Sequence, residues 1–143
     1  MTVRLILDEK GHDVQTIGPN ATLRQAVAML AEKKIGAIVV TDAALRVVGI
    51  LSERDVVRVI GLDGPGRLDD TVSSVMTSKV VTSDGEETIP LIMEHMTAGR
   101  FRHLPVVKGG KLIGIISIGD VVKHRLAEME RESHAMREYI MST

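Results

Sequence analysis

The sequence predicts a mixed α/β (α+β) fold: two β-α-β-β-α units packed sheet to sheet with pseudo-twofold symmetry, plus a C-terminal helix. Three observations predict it. Segments 66 residues apart share a pattern, pairing Val14-Gln15-Thr16-Ile17 with Val80-Val81-Thr82-Ser83, Thr22 with Thr88, Ile35 with Phe101 and Val40 with Val106. The run Gly49-Ile50-Leu51-Ser52-Glu53-Arg54-Asp55 then recurs, one residue earlier in phase, as Gly114-Ile115-Ile116-Ser117-Ile118-Gly119-Asp120. A copy of about 45 to 50 residues is too small to bury an adequate core alone, so the two must pack as one.

The elements follow in chain order. Val14 to Ile17 reads as a short strand closed by the turn signal Gly18-Pro19-Asn20. Thr22 can cap a helix whose apolar positions Leu23, Ala26, Val27 and Leu30 recur at helical spacing. Ala37–Val40 and Val47–Leu51 are β-branched runs around a Thr41-Asp42 turn, which predicts a hairpin, and Ser52 opens a second helix. Gly61 to Asp70 is a loop by composition, followed by a short helix, Val72 to Met76, that re-enters the second copy. In that copy Val80 to Ser83 repeats the first strand. Thr88 caps, Ile89, Ile92, Met93 and Met96 form the stripe, and Gly99 ends the helix. The strands His103–Val107 and Leu112–Ile116 flank Lys108-Gly109-Gly110-Lys111, and Pro105, which cannot donate to a ladder, belongs at an edge or facing a ligand. The units are placed at 5–60 and 75–125, with a connector at 61–74 and a helical tail at 126–143.

Composition narrows the function. The 143 residues are 44% hydrophobic and 26% charged, enough to bury a core. Eighteen basic residues against nineteen acidic ones give a net charge of −1, so the broad positive field of a nonspecific nucleic-acid binder is missing. One Phe, one Tyr and no Trp leave few platforms for base stacking. The lack of cysteine excludes disulfides, thiolate nucleophiles and Cys-based zinc sites, and fits a reducing compartment. No apolar run approaches a membrane span, and the N-terminal apolar stretch is too short for a secretory signal. A cytoplasmic setting without a membrane partner is expected.

The chemistry centres on the repeated Gly-h-h-Ser-x-x-Asp, where h is apolar. A Ser at a helix N-cap presents its hydroxyl beside free backbone N–H groups at the positive end of the dipole, a ready place for phosphate. Asp55 or Asp120, one turn in, can accept two hydrogen bonds from the vicinal hydroxyls of a ribose. Ser-x-x-Asp is also close to a capping box, in which the acid only serves its own helix. A repeated glycine tips the balance toward a ligand, because capping requires neither Gly49 nor Gly114.

With these motifs, Val75-Met76-Thr77 and Arg102-His103-Leu104-Pro105-Val106-Val107, residues 5 to 125 resemble a tandem pair of cystathionine β-synthase (CBS) domains, a Bateman module. The resemblance implies two clefts that take adenosine-containing ligands, flat dimers, and a regulatory rather than catalytic role. It makes Asp55 and Asp120 the ribose-binding acids and Ser52 and Ser117 the neighbouring hydroxyls. Thr16 and Thr82, with Gly36-Ala37-Ile38 and Arg102-His103-Leu104-Pro105, become the walls around adenine. Arg54, Arg100, Arg102 and His103 are the groups to meet phosphate. The copies differ, since the first has no cation in Gly36-Ala37-Ile38-Val39 and the second has Gly119 where the first has Arg54. Unequal clefts are therefore expected.

The expected ligand is AMP, ADP or ATP, with NAD(H) or S-adenosylmethionine as alternatives and a ligand-free interaction module as another. No catalytic cofactor or metal is expected. His12, His95, His103, His124 and His134 lack metal-ligand spacing, and no third group orients a Ser117–His103 pair for nucleophilic catalysis. The stretch Gly61 to Leu68 lacks the Lys and Ser/Thr of a phosphate-binding loop and reads as a connector. Beyond Val121, Leu126, Met129, Ser133, Met136 and Ile140 alternate at spacings of three and four with charged flanks. That seam predicts a homodimer through a helix that pairs with a second chain, and the response must reach an effector protein not named by the sequence.

Overall fold

The computed structural model describes residues 1–142; Thr143, the last residue of the tail assigned to 126–143, lies outside the described residues. The chain forms α1 (Val3–Lys10), β1 (Thr16–Ile17), α2 (Leu23–Lys33), β2 (Ala37–Thr41), β3 (Val47–Ser52) and α3 (Glu53–Asp63). After a 3-10 turn, Pro65–Asp69, come α4 (Val72–Val75), α5 (Ile89–Gly99), β4 (His103–Lys108), β5 (Lys111–Ser117) and α6 (Ile118–Ser142). The mixed α+β fold of two like units followed by a C-terminal helix is the one expected.

Local signals behave as the sequence implies. Thr22 Oγ1 accepts from Gln25 N–H while the Gln25 side chain accepts from Thr22 N–H, a complete capping box, and Thr88 Oγ1 accepts from Leu91 N–H. Leu23, Ala26 and Leu30 face inward on α2; Ile89, Ile92 and Met96 do so on α5, whereas Met93 lies toward solvent. Gly99 is the last residue of α5, and Arg100 after it takes the left-handed turn at φ 53°. The segment read as a loop from Gly61 is helical to Asp63, because Gly64 at φ 82° is the residue that leaves the helix.

Two apolar cores result, and two segments cross between them. The first holds Leu23, Ala26, Leu30, Ile38, Val40, Leu51 and Val59, joined by Val72 and Val75 of α4. The second holds Ile89, Ile92, Met96, Leu104, Val106, Ile116 and Val121, joined by Val3, Ile6 and Leu7 of α1. The helix leading into each unit therefore packs in the core of the other. The short helix read as re-entering the second copy instead buries its two valines in the first. Pairs of like kind mark both crossings: an isolated bridge joins Thr22 to Thr71 and another joins Thr88 to Thr2.

The two sheets differ at one position. β1, β2 and β3 form a sheet in that order, β1 parallel and β3 antiparallel to β2, with Val39 N–H donating to Gln15 O at 3.3 Å. In the second copy Pro105 stands where Val39 does and has no N–H. The strand expected at Val80–Ser83 accordingly shrinks to a single bridge, Ser83 to Val106, beside the β4–β5 hairpin. Pro105 still accepts from Ser83 N–H at 3.0 Å. Ala37, Val39 and Thr41, on the face of β2 away from the first core, are buried as well, which requires cover from the second unit. Leu112 N–H donating to Leu45 O at 3.0 Å ties the hairpins together.

Candidate functional site

The motif glycines have a structural use. A Cβ on Gly114 would lie 2.5 Å from Leu7 Cδ1, and one on Gly49 would collide with the Met76 side chain. Each glycine admits a residue of the crossing segment against the strand. The premise that a repeated glycine speaks for a ligand is thus corrected: interunit packing suffices to explain both.

Both acids act as helix caps. Asp55 Oδ2 accepts from Ser52 N–H at 3.0 Å and from Ser52 Oγ at 3.1 Å, while Ser52 Oγ accepts from Asp55 N–H at 3.2 Å. Asp120 Oδ2 accepts from Ser117 N–H at 2.8 Å, and Asp120 N–H donates to Ser117 Oγ at 3.2 Å. Their remaining partners separate them. Asp55 Oδ1 meets Arg58 at 3.2 Å, whose side chain is largely in solvent. Asp120 Oδ2 holds Lys10 Nζ of α1 at 2.7 Å. Burial pushes the Asp120 carboxyl up, but Lys10 and the Ser117 hydrogen bonds outweigh it and hold the pKa below the ordinary carboxylate value.

The first acid opens on a cavity. A cleft of about 370 Å³ is lined by Gly36, Ile50, Ser52, Glu53, Arg54 and Asp55 of the first unit. Its far wall is Thr77 and Lys79–Val81, then Gly99–His103, from the second. Two devices build it. Glu53 N–H donates to Gly36 O at 2.9 Å, which sets the start of α3 beside the start of β2. Ile50 and Thr77 exchange backbone hydrogen bonds of 3.0 and 2.9 Å, which lays the segment after α4 along the other rim. Because Pro105 keeps Val80 and Val81 out of a ladder, that rim is free to form a wall.

Of the residues singled out on sequence, Gly36, Ser52, Arg54, Asp55, Arg100, Arg102 and His103 meet in this cleft. Thr16, Ala37, Ile38, Thr82, Leu104, Pro105, Ser117 and Asp120 do not line it. Ile38 and Leu104 point into the two cores, so only their backbone is available to a ligand. The cations expected to serve the second copy stand opposite Asp55 of the first. Sequence reasoning missed Glu53, Lys79, Val80, Val81 and Phe101. The signals available were the variable positions of Ser-x-x-Asp and the segment following Val75-Met76-Thr77.

Four cations, Arg54, Lys79, Arg100 and Arg102, face two carboxylates, one of which is engaged in capping. The size falls within the range of small-molecule sites, and the charge favours an anion. Among the described residues no group of three or more His, Asp or Glu side chains could hold a metal ion, and no helix is long and apolar enough to cross a membrane.

His103 lies over Gly36, whose added Cβ would sit 3.3 Å from the ring. Burial, aided by Lys10 and Arg102 and opposed by Glu53 and Asp120, lowers its pKa from the ordinary 6.5. An unfolded chain takes up a proton on this residue first as pH falls. The fold should lose stability as pH drops below 6.5 and level off under the lowered pKa. Chemical denaturation at a series of pH values checks this, and His103→Gln should remove that part of the dependence.

Fold and site together define a two-unit α+β module with a cation-lined cleft between its halves. The chain belongs to the CBS domain family, whose pattern matches residues 8–62 and 72–127. A CBS-domain containing protein of Agrobacterium tumefaciens, solved by crystallography, is 49% identical with a TM-score of 0.84, over 87% of this chain and 99% of that one. An uncharacterized 17.7 kDa protein of Acidianus ambivalens is 40% identical over 77% of this chain; the chain spans 66% of that relative's length, less than two thirds. A CBS domain pair crystallised with 5'-methylthioadenosine and S-adenosyl-L-methionine shares the fold at 20% identity and a TM-score of 0.79, covering 90% of this chain and 98% of that one.

Proposed function

We propose that this chain is a cytoplasmic, homodimeric regulatory module that binds an adenine nucleotide (AMP, ADP or ATP) in the cleft at Asp55 and responds by a change of shape or partner affinity. The observation that carries this is the meeting of Asp55 with Arg54, Lys79, Arg100 and Arg102 around one cavity. Arg58 is exposed and readily displaced. Its departure frees Asp55 Oδ1 for a ribose diol while the cations take the phosphate. The adenosyl ligands of the fold neighbour support the ligand class.

The same charges weigh against S-adenosylmethionine here, whose sulfonium is itself a cation. NAD(H), with its pyrophosphate, stays compatible with the cleft. Asp120, held by Lys10 and outside the cleft, supports the expectation of unequal sites.

A thermal-shift and calorimetric panel of AMP, ADP, ATP, NAD, S-adenosylmethionine and 5'-methylthioadenosine tests the proposal. A ligand at a hundred times its Kd stabilises the fold by about 2.7 kcal/mol. Phosphate-bearing compounds should bind more tightly than the two phosphate-free ones, and by less as salt is raised. Absence of any shift would favour the ligand-free interaction module, and two identical independent sites would contradict the assignment of one dominant cleft.

A further inference from the structure

Helix α6 runs unbroken from Ile118 to Ser142, and its two sides have different fates. Val121 is buried in the second core and His124 is buried beside Met1. On the opposite side Val122, Leu126, Met129, Ser133, Met136 and Ile140, at spacings of four and three, lie in solvent. From Arg131 onward every described residue is exposed, so the last turns extend past the module. The tail therefore does not fold back onto its own chain. A helical end of this kind is marginal in water unless another surface covers its apolar stripe.

The charges beside the stripe say which surface. In heptad terms Leu126, Ser133 and Ile140 take position a, and Val122, Met129 and Met136 take position d. One flank then carries Glu130 and Arg137 at e, the other Arg125 and Glu132 at g. In a parallel, in-register pair each g residue meets the e residue five places on in the other helix. Arg125 meets Glu130 and Glu132 meets Arg137, and symmetry doubles both, giving four attractive contacts and no repulsive one among these groups. With the helices antiparallel and fully overlapped, Glu130 faces Glu130 and Glu132 faces Glu132. Arg125 pairs with Glu128 of its own helix at 3.3 Å, a half-buried contact within one helix that a partner's acid can replace. Because the module packs on the side of α6 away from the stripe, two modules can flank such a pair without occupying its seam.

We propose that the stripe from Val122 to Ile140 is a parallel, in-register coiled-coil interface with the same helix of a second copy of this chain, its direction set by Arg125–Glu130 and Glu132–Arg137. This rests on the homodimer reading and gives it a location, a direction and a code for partner choice.

Sedimentation of the full chain over a concentration series tests it, with thermal melts confirming that the charge changes leave the module folded. Exchanging one flank, Glu130→Arg with Arg137→Glu, places like charges together in the parallel pair and should weaken dimerisation at least tenfold. Adding Arg125→Glu and Glu132→Arg restores every opposite-charge contact and should return the dimer. The first exchange does not weaken a fully overlapped antiparallel pair, because the acid introduced at position 137 would face Lys123 there while position 130 stays like against like. A dimer indifferent to the exchange would leave the homodimer standing and overturn the parallel, in-register pairing of the tail. Failure of the fourfold variant to recover would overturn the parallel register. A wild-type chain that is monomeric throughout would overturn both readings without touching nucleotide binding.

Discussion

Asp55→Asn is expected to lower affinity for AMP at least tenfold, while Asp120→Asn leaves it within about twofold. Hydrogen bonds to a charged acceptor contribute roughly 1.5 to 3 kcal/mol, which is about ten- to a hundredfold in Kd. Asparagine keeps an oxygen that can accept from Ser52 N–H, so the cap of α3 is largely retained. It loses the charge to which the proposal assigns the ribose diol. Asp120, with its Oδ2 accepting from both Lys10 and Ser117, stands outside the cleft and should matter to the fold instead. Arg58→Ala adds a third arm. If Arg58 must move to release Asp55 Oδ1, its removal leaves affinity equal or higher. Calorimetry on the three variants decides the point: equal losses at Asp55 and Asp120 would show that the acid in the cleft has no special part in binding.

The largest effect on stability is expected from the N-terminal helix. Leu7→Ala should cost about 2 to 5 kcal/mol, the range for deleting a fully buried leucine. Leu7 is 1% exposed and packs with Ile116 and Val106 in the second core, close over Gly114. Leu5→Ala, on the outer side of α1 and 36% exposed, is the control and should cost much less. Removal of residues 1–10 takes Val3, Ile6 and Leu7 together and should leave the second unit without a cooperative transition. Urea unfolding measures all three. A truncated chain with the parent's midpoint would mean that the second core closes without α1. Lys10 reinforces the prediction, since losing α1 also strips Asp120 of its ammonium partner.

Much of this architecture was legible in the sequence. The capping threonines, the helical stripes and the hairpins all depend on interactions spanning a few residues, which local pattern records directly, and the repeat at a spacing of 66 showed as a second copy of those same local signals. The equivalence of Pro105 and Val39 was legible too, but its consequence was not. Only pairing with β4 shows that the absent N–H reduces a strand to one bridge and frees Val80 and Val81 for the cleft wall.

The sequence by itself determined that there are two like units, where their helices begin, and that each carries a serine and an acid at a helix start. Tertiary structure decided which core each linking helix enters, why Gly49 and Gly114 must be small, and that Asp55 lines a cleft between the units. It also set Arg100, Arg102 and His103 of one copy against Asp55 of the other. The physical reason is range. Capping and amphipathic periodicity act within a turn or two of chain, whereas the crossing of α1 and α4 and the charge balance of the cleft arise between segments dozens of residues apart, where shape and packing choose among partners that local pattern leaves equivalent.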